Sequence, residues 1–162
     1  MSPTNWNDIR VGTEIPALRV TTTNVQLFRF SSVTWNAHRI HYDQAYAKTE
    51  GYQDVVVQSH LHAAFLYECL QSWFGPELTV KIKRFGWRNR AIGLCGSTLV
   101  CRGEVTGDTE SESGRMLEIA LEERDEDNTL CVSGWATIET PRALHGTKSE
   151  ETLNVNLSRS VR

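Results

Sequence analysis

The run "TWNAHRIHYDQAYAKTEGY", residues 34–52, gathers polar and titratable side chains directly before the apolar stretch "VVVQSHLHAAFLYECL". Four of the five histidines, His38, His41, His60 and His62, fall between positions 38 and 62. An imidazole changes charge near neutral pH, so it is the natural side chain for moving a proton during a reaction. The apolar stretch reads as a helix with Ser59 at its N-cap. The free amides around Ser59 and His60, aided by the helix dipole, suit an oxygen that gains negative charge. His41, just ahead of that helix, is the candidate proton carrier.

The other polar side chains have quieter readings. His38 suits backbone bonding in a tight loop. His62 lies among apolar neighbours and suits a satisfied core or interface histidine. Asp43 is placed to cap "QAYAKTEGY". The spacings H-x-x-H and H-x-H are compatible with a metal, yet no outer-sphere pattern supports one, and no metal or other cofactor is expected. Cys69, Cys95, Cys101 and Cys131 form no C-x-x-C pair and read as reduced thiols in apolar contexts.

These groups must be positioned by an α+β chain. "IPALRVTTT" reads as an opening strand. "NVQLFRFSSVT" reads as a short helix with Asn24 as its cap and Val25, Phe28 and Val33 near one face. The long helix after Ser59 is apolar on nearly every side and stops at Gly75-Pro76, so the fold should wrap it. "ELTVKIKRFGWR", "STLVCRGEVTG", "RMLEIALEERD" and "TLCVSGWATIET" then alternate as four strands, separated by turn-rich pieces. The expected architecture is a single hotdog fold over residues 1–145, an antiparallel sheet curled around one long helix. Residues 146–162 read as a polar extension, with one short strand at "LNVNL".

The chain has 162 residues, a net charge of −3 and 23% charged residues. That balance gives no basic excess for nucleic acid and no polybasic membrane patch. No apolar run is long enough to cross a bilayer, and the expected address is the cytoplasm.

The segment "LFRFSSVTWNAHRIHYDQAYAKTEGYQDVVVQSHLHAAFL" resembles the MaoC-like hotdog hydratases and dehydratases. It is most similar to the branch of hydroxyacyl-thioester dehydratase type 2 and mesaconyl-CoA hydratase. The similarity runs from about Val11 to Pro141, with HRIHYD its most specific part. It implies addition of water to an enoyl thioester of CoA or acyl carrier protein, or removal of water from an (R)-3-hydroxyacyl thioester. It assigns acid–base catalysis to His41, the histidine of the family's D-x-N-P-x-H pattern. The aspartate of that pattern falls on Asn36 and its asparagine on His38, so the resemblance leaves Asn36 to orient the water through its amide, since it cannot take a proton as a carboxylate would.

A second departure lies at Gln58, Ser59 and His60, where the family commonly has HGP or HGM. Ser59, His60, His38 and Tyr52 are the expected substrate-contacting residues, with Phe65 and His62 as further lining. Arg88, with Arg84 and Arg90, suits CoA phosphates.

The resemblance also implies at least a homodimer, with fatty acid metabolism as the setting. Two further readings are open. One is a non-catalytic or half-active subunit of a heteromeric MaoC-type hydratase. The other is an acyl-CoA thioesterase, for which Glu68 is the only acid within the helix.

Overall fold

A helix apolar on most sides must be enclosed, and the sheet supplies the enclosure. The structure, a computed structural model, describes residues 8–74, 80–111 and 114–141. In chain order the elements are β1 (Glu14–Thr21), α1 (Asn24–Val33), a 3-10 turn (Arg39–His41), α2 (Gln44–Thr49), α3 (Ser59–Phe74), β2 (Lys81–Asn89), β3 (Thr98–Ser111), β4 (Gly114–Arg124) and β5 (Leu130–Pro141). The strands form one five-stranded sheet in the order β1-β3-β4-β5-β2, with every neighbouring pair antiparallel. This is the hotdog arrangement expected from the sequence. The suggested strand "LNVNL" and the extension from 146 lie outside the described residues.

Alternation decides which strand residues meet α3. On β4, Leu117, Ile119 and Leu121 point inward and are buried, while Glu118 and Ala120 point out. On α3 the buried set includes Leu61, Phe65, Leu66, Cys69, Leu70 and Trp73. Leu66 and Leu70 are fully buried, each worth about 1.5–3 kcal/mol of transfer free energy. The wrap is incomplete. Ala64, Tyr67, Glu68 and Gln71 face outward, contrary to the all-round burial expected. Pro16 lacks an amide hydrogen and sits on edge strand β1, where the register shifts between Ile15 and Leu18.

α1 differs from its sequence reading in two respects. Its cap is Thr23, whose side chain accepts from the Gln26 amide, and Asn24 is the first helical residue. Its inward residues are Leu27 and Ser31, whereas Val25, Phe28 and Val33 are exposed. A residue pair four apart makes a continuous stripe on a helix, while Phe28 and Val33, five apart, do not.

Candidate active site

α1 ends in a way that aims the next residues. Trp35 adopts a left-handed backbone with φ of 54°, and the Asn36 amide donates to Ser31 O at 2.9 Å. This is the wide hydrogen bond of a Schellman termination, made here with tryptophan where glycine is usual. The Asn36 Oδ1 then accepts from the His38 amide at 3.2 Å, a local turn that leaves its NH2 group free to donate. Asn36 lines a shallow cleft with Phe28, Ser31, Trp35, Ala37 and Tyr42.

The polar loop is braced from its far side. Asp43 caps α2 by accepting from the Tyr46 amide, as expected, and it also takes two bonds from Arg39 at 3.1 and 2.6 Å. The amide of Tyr46 and the Arg39 guanidinium hold the Asp43 carboxyl below the usual range. Arg39 also lies 4.4 Å from the centre of the Tyr46 ring. His38 is exposed, and its ring meets those of His41 and Tyr46 edge-on.

His41 is buried at the end of the 3-10 turn, with Nδ1 at 2.7 Å from Val56 O. A carbonyl only accepts, so Nδ1 carries the hydrogen and Nε2 of the neutral ring holds a lone pair. Burial pushes the His41 imidazole below its ordinary pKa, opposed by the Val56 bond and reinforced by His38. The ring is therefore neutral near pH 7 and basic at one defined nitrogen. Segment 55–57 positions it. Val56 N bonds Ile40 O on one side, while Val57 N bonds Gly93 O and Cys95 N bonds Val55 O on the other.

Three residues on, α3 begins uncapped. Gln58 O takes the first helical bond, from His62 N, so Gln58 occupies the N-cap position and Ser59 is the first helical residue. The side chain of Gln58 does not serve its own helix. Its Nε2 donates to Leu27 O at 2.8 Å and to Ser31 Oγ at 2.9 Å on α1. Ser59 Oγ accepts from Trp87 Nε1 at 3.0 Å and donates to Asn89 Oδ1 at 3.2 Å, which pins α3 to β2. The expected capping role of Ser59 is thus replaced by tethering. The Ser59 and His60 amides consequently have no acceptor among the described residues, and they project from the positive end of a 16-residue helix.

The remaining candidates are dispersed. His60 is exposed and packs edge-on against Trp87 at 5.4 Å, in a groove on the outer face of α3 that includes Phe30, Tyr67 and Phe85. Tyr52 and Phe65 pack into the core, and neither lines a described cleft. Arg88 is exposed on β2. Among the described residues, no group of three His, Cys, Asp or Glu side chains could hold a metal ion. No helix there is long and apolar enough to cross a membrane.

His62 is a satisfied core histidine, and its partner is a residue the sequence reading did not single out. The fully buried Glu123 receives its Nδ1, and Cys101 Sγ lies 3.6 Å from the other carboxylate oxygen. The signal was present: Glu123 falls in the inward phase of Leu117, Ile119 and Leu121, and a buried carboxylate needs a partner.

Comparison with known proteins places this arrangement. The family model for hydroxyacyl-thioester dehydratase type 2 matches residues 8–95, more than half of the chain. The chain is 58% identical over 43 residues to mesaconyl-C(4)-CoA hydratase of Chloroflexus aurantiacus, covering 26% of this chain and 15% of that protein. It is 35% identical over 83 residues to the mitochondrial hydroxyacyl-thioester dehydratase type 2 of Schizosaccharomyces pombe, covering 46% of this chain and 27% of that one. The chain thus spans 15 to 27% of the curated relatives it matches.

Among solved structures it superposes on R-hydratase PhaJ1 of Pseudomonas aeruginosa with a TM-score of 0.74 at 19% identity, covering 84% of each chain. It also superposes on a chain of the ChsH1–ChsH2 complex of Mycobacterium tuberculosis with a TM-score of 0.72 at 19% identity, covering 81% of this chain and 98% of that one. The fold, the HRIHYD loop and the family match agree: the chain belongs to the hydroxyacyl-thioester dehydratase type 2 family.

Proposed function

We propose that this chain interconverts enoyl and (R)-3-hydroxyacyl thioesters of CoA or acyl carrier protein, with His41 as the acid–base group. The observation that carries this reading is the His41 ring, held neutral with Nε2 basic by the carbonyl of Val56, which itself lies three residues before a helix start with free amides. In the hydration direction, Nε2 takes a proton from water as its oxygen bonds to Cβ. The π electrons move toward the thioester oxygen, which becomes an enolate oxygen facing the Ser59 and His60 amides. The proton on Nε2 then passes to Cα and restores the neutral ring. The NH2 group of Asn36 serves to orient the water, and a proton-transfer group of this kind typically contributes about 10²- to 10⁴-fold in rate.

Incubation with crotonyl-CoA or mesaconyl-CoA, followed by loss of enoyl absorbance, tests the reading. Full activity in His41→Ala refutes the assignment, and release of free CoA thiol points to a thioesterase instead. One observation favours a second reading, a supporting subunit in a pair: Asn36 replaces the family carboxylate, and its oxygen is occupied by the His38 amide. Inactivity alone with activity on mixing with a second MaoC-like chain selects that reading. The edge position of β2, beside the aromatic groove on α3, is the surface expected to meet a second copy or such a partner. Gel filtration showing a monomer counts against it.

A further inference from the structure

Gln58 is 1% exposed and stands where the three parts of the proposed machinery meet. Two residues before it, the Val56 carbonyl fixes the His41 ring. Directly after it, Ser59 and His60 supply the free amides at the start of α3. The third part, Asn36, belongs to the segment that leaves α1, and α1 is distant from α3 in sequence. Among the described residues, the only hydrogen bonds that tie α1 to any residue beyond 36 come from the Gln58 side chain.

Those bonds reach the two inward residues of α1. The Gln58 Nε2 donates to Leu27 O at 2.8 Å and to Ser31 Oγ at 2.9 Å. Ser31 is also the residue whose carbonyl accepts from the Asn36 amide at 2.9 Å, the bond that turns the chain out of the helix. A path of hydrogen bonds therefore runs from the Gln58 NH2 group through Ser31 to the backbone of Asn36. The Asn36 side chain is in turn tied to the local backbone, because its Oδ1 accepts from the His38 amide. A shift of Ser31 is thus carried to the Asn36 NH2 group.

The chemistry of the Gln58 side chain points the same way. Its Oε1 is buried and has no partner among the described residues. A buried acceptor left in this state is unfavourable, and a side chain that merely filled the gap between two helices would do better as hydrocarbon. The NH2 group explains the carboxamide, since it is uncharged and gives two hydrogen bonds from one atom.

We propose that Gln58 is a positioning residue of the reaction: by holding Ser31, its NH2 group sets the Asn36 amide in register with the Ser59 and His60 amides. The donors for the water and for the thioester oxygen are then aligned by one buried side chain. The role rests on the hydratase reading and on the use of Asn36 within it.

The test is a double-mutant cycle on the full-length protein, with kcat and KM measured on an enoyl-CoA that the unaltered protein hydrates. Misplacing a reacting group by about 1 Å can cost about 10²-fold, so Gln58→Met should lower kcat at least about tenfold and leave KM within about threefold. In an Asn36→Ala background the same substitution should lower kcat by less than about twofold, because the group that Gln58 aims is already gone. A residue that only stabilises the fold would act alike in both backgrounds. An equal loss in the two backgrounds, a rise in KM with kcat unchanged, or full activity in Asn36→Ala overturns the proposal. If Gln58→Met does not fold, Ser31→Ala takes its place in the cycle with the same pattern expected, since it removes only the hydroxyl that Gln58 holds.

The side-chain amide NMR signals of Asn36 distinguish a failure here from a failure of the hydratase reading. They should shift in Gln58→Met or Ser31→Ala whether or not substrate is turned over. Unmoved signals overturn the proposal even in an active enzyme. Shifted signals in a protein that hydrates no enoyl-CoA, alone or mixed with a MaoC-like chain, overturn the hydratase reading and support the placement of Asn36 by Gln58.

Discussion

The buried pair of His62 and Glu123 can be taken apart one side at a time. Their side chains are 3% and 0% exposed, so neither can recover solvent when its partner is removed. Among the described residues, His62→Leu leaves the Glu123 carboxylate with only the weak Cys101 thiol contact at 3.6 Å. Breaking a buried pair this way costs about 3–5 kcal/mol. In a domain of this size about 2–4 °C accompanies each kcal/mol, so Tm should fall by roughly 6–20 °C.

Glu123→Leu removes the only acceptor of His62 Nδ1 among the described residues and should cost about 1–3 kcal/mol. The double variant His62→Leu/Glu123→Leu replaces both polar groups with side chains like those around them, and a swap of this kind is often close to neutral. The double variant should therefore be more stable than His62→Leu alone by at least about 2 kcal/mol. Urea melts at one fixed protein concentration measure this without a contribution from changes in assembly. A cost below about 1 kcal/mol for His62→Leu, or a double variant equal to the sum of the singles, refutes the reasoning.

Three further outcomes follow from the same geometry. Activity should fall on the acid side as His41 takes up a proton at Nε2. Because burial lowers its pKa, the midpoint should lie below the ordinary value of about 6.5, read from kcat/KM against pH. Asp43→Ala removes both the α2 cap and the partner of Arg39, and should cost about 1 kcal/mol in a thermal melt, whereas Asp43→Asn keeps the cap and loses less. In the folded protein a thiol reagent should label Cys95 first. Cys69 and Cys101 are buried with their thiols pushed up by desolvation, and Cys131 is pushed up to about 11. Denaturant should then release all four cysteines to the reagent.

The strands were legible because their alternation is strong, and the helix because Gly75-Pro76 ends a long apolar run. The HRIHYD loop was legible through its motif, and the Asp43 cap through its place before "QAYAKTEGY". Other features depend on contacts distant in sequence. The inward face of α1 follows Leu27 and Ser31 because Gln58, 27 residues beyond Ser31, bonds to both. The more numerous apolar residues Val25, Phe28 and Val33 misled the reading, since helix polarity alone does not say which stripe meets the core. Ser59 has the residue type of a cap, yet Trp87 and Asn89 claim its hydroxyl across the fold. Nothing local marks Gly93 as the residue that clears space for His62.

The two departures at positions 58 and 59 have consequences for ancestry and engineering. Gln58 fastens α3 to α1, and Ser59 fastens it to β2, so both residues now carry assembly duties that histidine and glycine could not take over. Substituting Gln58→His would remove the amide that Leu27 O and Ser31 Oγ both accept from, and Ser59→Gly would take away the hydroxyl that the Trp87 indole and the Asn89 side chain share. Restoring the common residues is therefore not a single downhill step, because Ser31, Trp87 and Asn89 would have to change with them. The motif has become locked in by its surroundings, and a designer seeking a more ordinary relative should exchange the whole interlocked set at once.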